Sequence, residues 1–118
     1  MSDIRTDLSW LGSLLRASTA RHSAVSSNLA NAGTEGYRPV RVEFEEELRQ
    51  LLASRGVDTA EKIASLEPRV IRDESGRSVV IEDEIMDLMK NQLAFDTYAQ
   101  VVSMKIGILK AAITSGGK

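Results

Sequence analysis

The chain contains no cysteine, which excludes a disulfide framework and any thiol chemistry. Its two prolines, Pro39 and Pro68, both lie in the middle, so neither end carries a residue that breaks helices. A single histidine, His22, leaves no basis for a histidine-rich metal site. Formal net charge is only -2, without the basic footprint that nucleic acid or an acidic membrane would need. No apolar run reaches the length that spans a bilayer. The first residues, Met1 to Asp7, lack the basic and apolar regions of a secretory signal. If the protein leaves the cytosol, a route without a cleaved signal is expected. What remains is ordinary for one soluble domain: 118 residues, 42% hydrophobic and 27% charged.

The last third carries the strongest pattern. Ile81, Ile85, Leu88, Phe95, Ala99, Val102, Ile106, Leu109 and Ile113, with Gln92 in the one gap, step four, three, four, three. That is the period with which a helix keeps one stripe against a partner helix. Glu82, Asp83 and Glu84 suit the start of such a helix, Lys105 and Lys110 its other half, and Gly116-Gly117 its stop. At about 1.5 Å per residue the rod is roughly 50 Å long and needs a partner.

The other end supplies one. Ile4, Leu8, Leu11, Leu15, Ser18, His22, Val25, Leu29 and Ala32 make the same steps, with Asp3 as the expected N-cap. Laid antiparallel, Ile4 faces Ile113, Leu8 Leu109, Leu11 Ile106, Leu15 Val102, Ser18 Ala99, His22 Phe95 and Leu29 Leu88. A slip of one heptad preserves the pattern, so the register stays open. Ser18, His22 and Gln92 read as polar residues that pin alignment. Each helix also carries a flanking apolar stripe, through Trp10, Leu14, Ala17, Ala20 and Ala24, and through Ala94, Tyr98, Val101, Ile108 and Ala112. Either the middle of the chain or other molecules must cover them.

The fold class is therefore all-α: an antiparallel, coiled-coil-like hairpin of residues 1–32 and 82–115 in one domain, with a short irregular middle over 33–81. Asn31 and Gly33 can close the first helix in left-handed geometry. Thr34-Glu35-Gly36-Tyr37 reads as a β-turn with positive φ at Gly36. Glu43 to Ser54 predicts a third, acidic helix with Phe44, Leu48, Leu51 and Leu52 on one side. Asp58 is placed to cap a further short helix. Arg69–Arg72 and Ser78–Ile81 frame a candidate β-hairpin around Asp73–Arg77.

The segment after the first helix resembles the Asn-Ile-Ala-Asn-x-x-Thr-Pro-Gly-Tyr signature of bacterial flagellar rod and hook proteins. The matching residues are Asn28, Ala30, Asn31, Thr34, Gly36 and Tyr37, while Leu29 stands for Ile and Glu35 for Pro. Val42 to Leu48, Asp73 to Val79 with Glu82 to Met86, Asn91 to Phe95 and Ser103 to Ile106 resemble elements of the proximal-rod FlgB-type family rather than its FlgC-type sister. The resemblance covers roughly two-thirds of the chain. It implies a structural subunit of the flagellar basal-body proximal rod, made in the cytoplasm, passed out by type III export without cleavage, and assembled in the periplasm in support of motility. Implied partners are other rod proteins, the membrane-ring and export-apparatus base, and further copies of itself. No nucleic acid, small-molecule substrate or cofactor is expected.

Little else in the sequence points to chemistry. There is no nucleophile with a histidine and carboxylate at useful spacing, so an enzyme is the poorest reading. Glu43, Glu45, Glu46 and Glu47 fan around one helix and read as a solvated face. Gly33 and Gly36 lack the strand and lysine of a phosphate loop. Phe44 and Leu48 form an aromatic-x-x-x-aliphatic pair that the resemblance would offer to an export gate, while their helical spacing favours a buried face. Assembly through the seams points to Ile4, Leu8, Leu11, Leu15, Val25 and Leu29, with Ile85, Leu88, Phe95, Val102, Ile106, Leu109 and Ile113. The alternative is a cytosolic helical adaptor or dimeric chaperone whose seam is satisfied by a second copy.

Overall fold

The computed structural model describes residues 4–54, 56 and 58–116. Two long helices dominate: α1, Ile4–Ala30, and α4, Ile81–Gly116. Between them lie β1 (Val40–Glu43), α2 (Glu45–Ala53), α3 (Thr59–Ala64) and β2 (Arg69–Arg72). The molecule is elongated, 65 × 27 × 16 Å. The expected N-cap Asp3 and the stop residue Gly117 lie outside the described residues, and Gly116 is still helical.

α1 is the central element: α3, α4 and β1 all pack on it, while β2 joins through β1. One of its faces buries Leu14, Ala17 and Ala24 against Val40, Val42, Phe44, Leu48 and Ile63. Ala17 and Ile63 have 0% of their surface exposed, which lets the short α3 sit close against α1. Trp10, Ala20, Leu51, Leu66 and Tyr98 ring this core. So the first of the two flanking stripes is covered by the middle of the chain. Arg16 reaches across to fix α3, its Nη2 donating to the carbonyls of Ile63 (3.1 Å) and Leu66 (3.2 Å). These lie at the helix end, where carbonyls lack intrahelical partners. Arg21 anchors the start of α2 through an ion pair with Glu45, and donates to the Val42 carbonyl at 3.2 Å.

The sheet differs from the candidate hairpin. β2 pairs antiparallel with β1, Val40 opposite Arg72 and Glu43 opposite Arg69, and Ser78–Val80 form no strand. β1 wins because its side chains alternate: Val40 and Val42 point into the core, Arg41 and Glu43 to solvent. The third helix accordingly starts at Glu45 rather than Glu43, with Phe44 buried at its entry. Leu52 is exposed, so the apolar side of α2 is narrower than its sequence suggests. Asp58 precedes α3 without a side-chain capping bond and pairs instead with Lys62.

α4 runs antiparallel to α1, as the seams require. Asn28 meets Glu84, Ser18 meets Asn91 and Asp7 meets Lys105. The register, however, differs from the layers that put Leu11 against Ile106. Those layers place Ser18 beside Ala99, whereas the Ser18 carbonyl accepts from Asn91 Nδ2 at 2.7 Å, roughly two helical turns along. α4 is also rotated. Leu88, Val102 and Leu109 are half-buried as expected, but their companions on the contact stripe are Glu84, Asn91, Tyr98 and Lys105. Ile85, Phe95, Ile106 and Ile113 are left exposed, at 45%, 37%, 40% and 66%. The reason is polar satisfaction: Glu84, Asn91 and Lys105 each find a partner on α1 in this register. On α1 the expected seam holds better. Leu11, Ser18 and Val25 are buried, and Ile4, Leu8, Leu15, Leu29 and Ala32 are half-buried. His22 is the exception; it faces solvent, as does Gln92, the other polar residue expected on the seams of this region, and neither pins the alignment.

Cysteines at Asp7 and Lys105 should therefore link within one chain through a short bis-thiol reagent, and cysteines at Leu11 and Ile106 should not. Efficient linkage of the second pair alone would restore the unslipped register.

Candidate functional site

The signature residues lie together at the end of α1, and most of them are bonded to one another. Asn28 is 2% exposed and acts as a short substitute for a neighbouring strand. Its Nδ2 donates to the Val40 carbonyl at 2.9 Å, and its Oδ1 accepts the Val40 N–H at 2.9 Å. β1 pairs with β2 on its other side, so Asn28 satisfies the edge of β1 that would otherwise be unpaired. Nδ2 also donates to Glu84 Oε2 at 3.1 Å, tying in the first turn of α4. Tyr37 donates its hydroxyl to Asn28 Oδ1 at 2.8 Å, and that hydroxyl in turn contacts Ser27 Oγ at 2.9 Å. The result is a chain of hydrogen bonds running Ser27–Tyr37–Asn28–Val40. Arg72 of β2 lies over the Tyr37 ring, 5.7 Å from its centroid.

Two turns hold the loop that brings Tyr37 back. Asn31 donates through Nδ2 to the Ser27 carbonyl at 2.9 Å, and Thr34 Oγ1 donates to Asn31 Oδ1 at 3.2 Å. Thr34 N–H closes on the Asn31 carbonyl at 2.9 Å, and Tyr37 N–H on the Thr34 carbonyl at 3.2 Å. Gly36 has φ 79°, the value that the third residue of a type II turn requires. Neither Asn31 nor Gly33 is left-handed, so α1 ends in ordinary right-handed turns rather than a left-handed cap. Ala30 is exposed and joins none of these bonds. We call the assembly of Asn28, Asn31, Thr34, Gly36 and Tyr37 the clasp, since it fixes how the chain leaves α1 and where β1 and α4 begin.

Gly36→Val should destabilise the protein by about 1–3 kcal/mol in a urea melt, because a β-branched residue resists positive φ. Glu35→Pro, which suits the preceding turn position, should be neutral or slightly stabilising. Equal stability of Gly36→Val and wild type would remove the clasp's dependence on this turn.

Beside the clasp, an open groove of about 460 Å³ runs between β1 and α4 over Ala24 and Val25 of α1. Its charged rim is mixed, Arg41, Arg77 and Lys90 facing Asp73, Glu84 and Asp87. Asp73 is held below the usual carboxylate range by hydrogen bonds from Ser75, with Arg77 adding to the effect. No cluster of three or more metal-ligating side chains occurs among the described residues. Among them no helix is long and apolar enough to cross a membrane.

Glu45 offers a pH test. Hydrogen bonds from Arg21 hold its carboxyl below the ordinary value. A carboxylate with a lowered folded pKa stabilises the fold above its unfolded pKa and loses that contribution as pH falls through the folded one. Glu45→Gln should cost up to about 1 kcal/mol near pH 7, the scale of an exposed ion pair, and nothing near pH 2. A cost that persists in acid would assign the effect to packing instead.

Phe44 and Leu48 are 2% and 5% exposed, both within the α1 core. In the folded protein they are packing residues, so any reading of them by an export gate belongs to an unfolded chain. The expected seam residues divide. Those on α1 are buried or half-buried, while Ile85, Phe95, Ile106 and Ile113 stand on a face that this chain leaves uncovered. No residue of α4 is fully buried. No protein-family model matches the chain, and no curated protein matches its sequence. The residues that sequence reasoning missed are Ser27, whose hydroxyl partner Tyr37 lies across the turn, and Arg16 and Arg21, whose partners are 21 to 50 residues away; none leaves a periodic trace.

Proposed function

We propose that this protein is a structural subunit of the flagellar proximal rod, exported unprocessed and polymerised with other rod proteins. What supports the reading is the clasp. Four of the six residues that carry the rod and hook resemblance, Asn28, Asn31, Thr34 and Tyr37, join in one hydrogen-bonded unit, and a fifth, Gly36, supplies the positive φ of its turn. Such a unit gives those residue types a mechanical task. It sets the angle between a long helix and the segment that follows it. A subunit stacked repeatedly in a shaft needs that angle to be the same in every copy. The outer face of α4, apolar and uncovered, is the kind of surface that further subunits would bury.

Location is the test. Epitope-tagged protein should co-purify with basal bodies, and deletion should abolish motility. Tagged protein that stays in the cytosol, with motility intact after deletion, would overturn the rod reading and leave a cytosolic adaptor.

A further inference from the structure

α4 carries a second seam that its own chain does not use. Opposite the stripe that rests on α1, Met86, Met89, Leu93, Gln100, Met104 and Gly107 follow at helical spacing. All are exposed, Met89 at 67% and Leu93 at 69%. Every methionine after Met1 stands on this row. Scattered surface apolar residues need no explanation, but four large ones in line on one face of a long helix, Met86, Met89, Leu93 and Met104, do. Methionine is suited to such a contact because it adapts to the surface it meets.

The row is complementary to itself end for end. Laid antiparallel on a second copy about an axis near Asp96 and Thr97, Met86 faces Gly107, Met89 faces Met104 and Leu93 faces Gln100. Met86 thus meets the one position without a side chain, Gly107, and two methionines meet each other on either side of the axis. Glu82 comes beside Lys110, twice by symmetry, and Ile85 comes beside Ile106 on one shoulder. Gly107 is otherwise unexplained. A Cβ there would touch nothing in this chain, its φ is not positive, and glycine is unfavourable in a helix interior. A parallel pair would instead crowd the acidic first turns, with Glu82, Asp83 and Asp87 against their like.

We infer that two copies of this chain associate through the outer faces of α4, antiparallel and related by a two-fold axis near Thr97. This does not rest on the rod reading, which is tested by location; each can fail without the other.

The absence of cysteine makes the test clean. Full-length protein is followed by sedimentation from micromolar to about 100 μM, where a dimer is expected. Thr97→Cys should oxidise to a disulfide-linked dimer far faster than a control Arg49→Cys on α2. Met89→Cys alone should not link, but mixed with Met104→Cys it should form the heterodimer. Gly107→Leu should weaken association about tenfold or more while favouring the helix itself, so a folding defect cannot explain the loss. A monomer throughout the range would overturn the inference, as would Met89→Cys linking to itself, or Gly107→Leu associating as wild type does. In the first case α4 is left for a different protein.

Discussion

Replacing Asn28 with leucine should cost roughly 3–5 kcal/mol of unfolding free energy, the largest effect of any polar substitution in this protein. The change leaves the N–H and carbonyl of Val40 without their partners in a buried setting, and takes from the Tyr37 hydroxyl its acceptor while leaving the contact with Ser27. Each such group carries a penalty of about 1–3 kcal/mol, and part is recovered by rearrangement and water. Asn28→Asp should be as harmful for a different reason. It keeps the acceptor but loses both Nδ2 bonds and sets a second carboxylate against Glu84. Its cost should therefore rise with pH through the carboxylate range, whereas that of Asn28→Leu should stay flat. Urea melts of both variants at several pH values measure this. A loss under about 1 kcal/mol for Asn28→Leu would mean that the clasp is ornamental.

The second large effect is expected at Phe44. Phe44→Ala should lose about 3–5 kcal/mol, as for other aromatic side chains removed from a closed core. Phe44→Leu should lose much less, about 1.5 kcal/mol or under, because most of the volume remains. On the rod reading proposed above, this pair of variants also separates packing from recognition by an export gate. If Phe44 matters only for packing, secretion and motility should follow stability, with Phe44→Leu close to wild type. A Phe44→Leu protein that is stable yet not exported would assign the aromatic ring to the export gate.

Much of the architecture was legible because it depends on period. Two heptad seams at opposite ends of the chain implied an antiparallel hairpin, and Gly36 implied its turn. The rotation of α4 was not legible for a specific reason. Ile85, Ile106 and Ile113 outrank Glu84, Asn91 and Lys105 on any hydrophobic pattern, yet the polar set makes the contact. Its partners Asn28, the Ser18 carbonyl and Asp7 are 56 to 98 residues away in sequence. A backbone carbonyl such as that of Ser18 has no sequence signature at all. β1 was missed because Val-Arg-Val-Glu gives only two alternations, beside a helix that could have claimed its last residue. Of the site, the identity of the clasp residues was readable, but not that Asn28 takes the place of a strand.

The separation between contacts also orders events in time. Asn28 reaches Val40 across a loop of 12 residues, whereas Lys105 reaches Asp7 only across 98. Short loops close first. A chain emerging from the ribosome can complete α1, the clasp and the core around Phe44 and Ile63 while α4 is still being made. α4 then has one obvious place to begin. Closing from Asn28 to Glu84 costs about 0.5 kcal/mol less in chain entropy than closing directly from Asp7 to Lys105. Once that first turn is seated, each later contact along α1 closes only a short additional loop. Docking should run like a zip from the clasp toward the two termini, leaving the Ile113 end of α4 as the last part to settle and the first to come away.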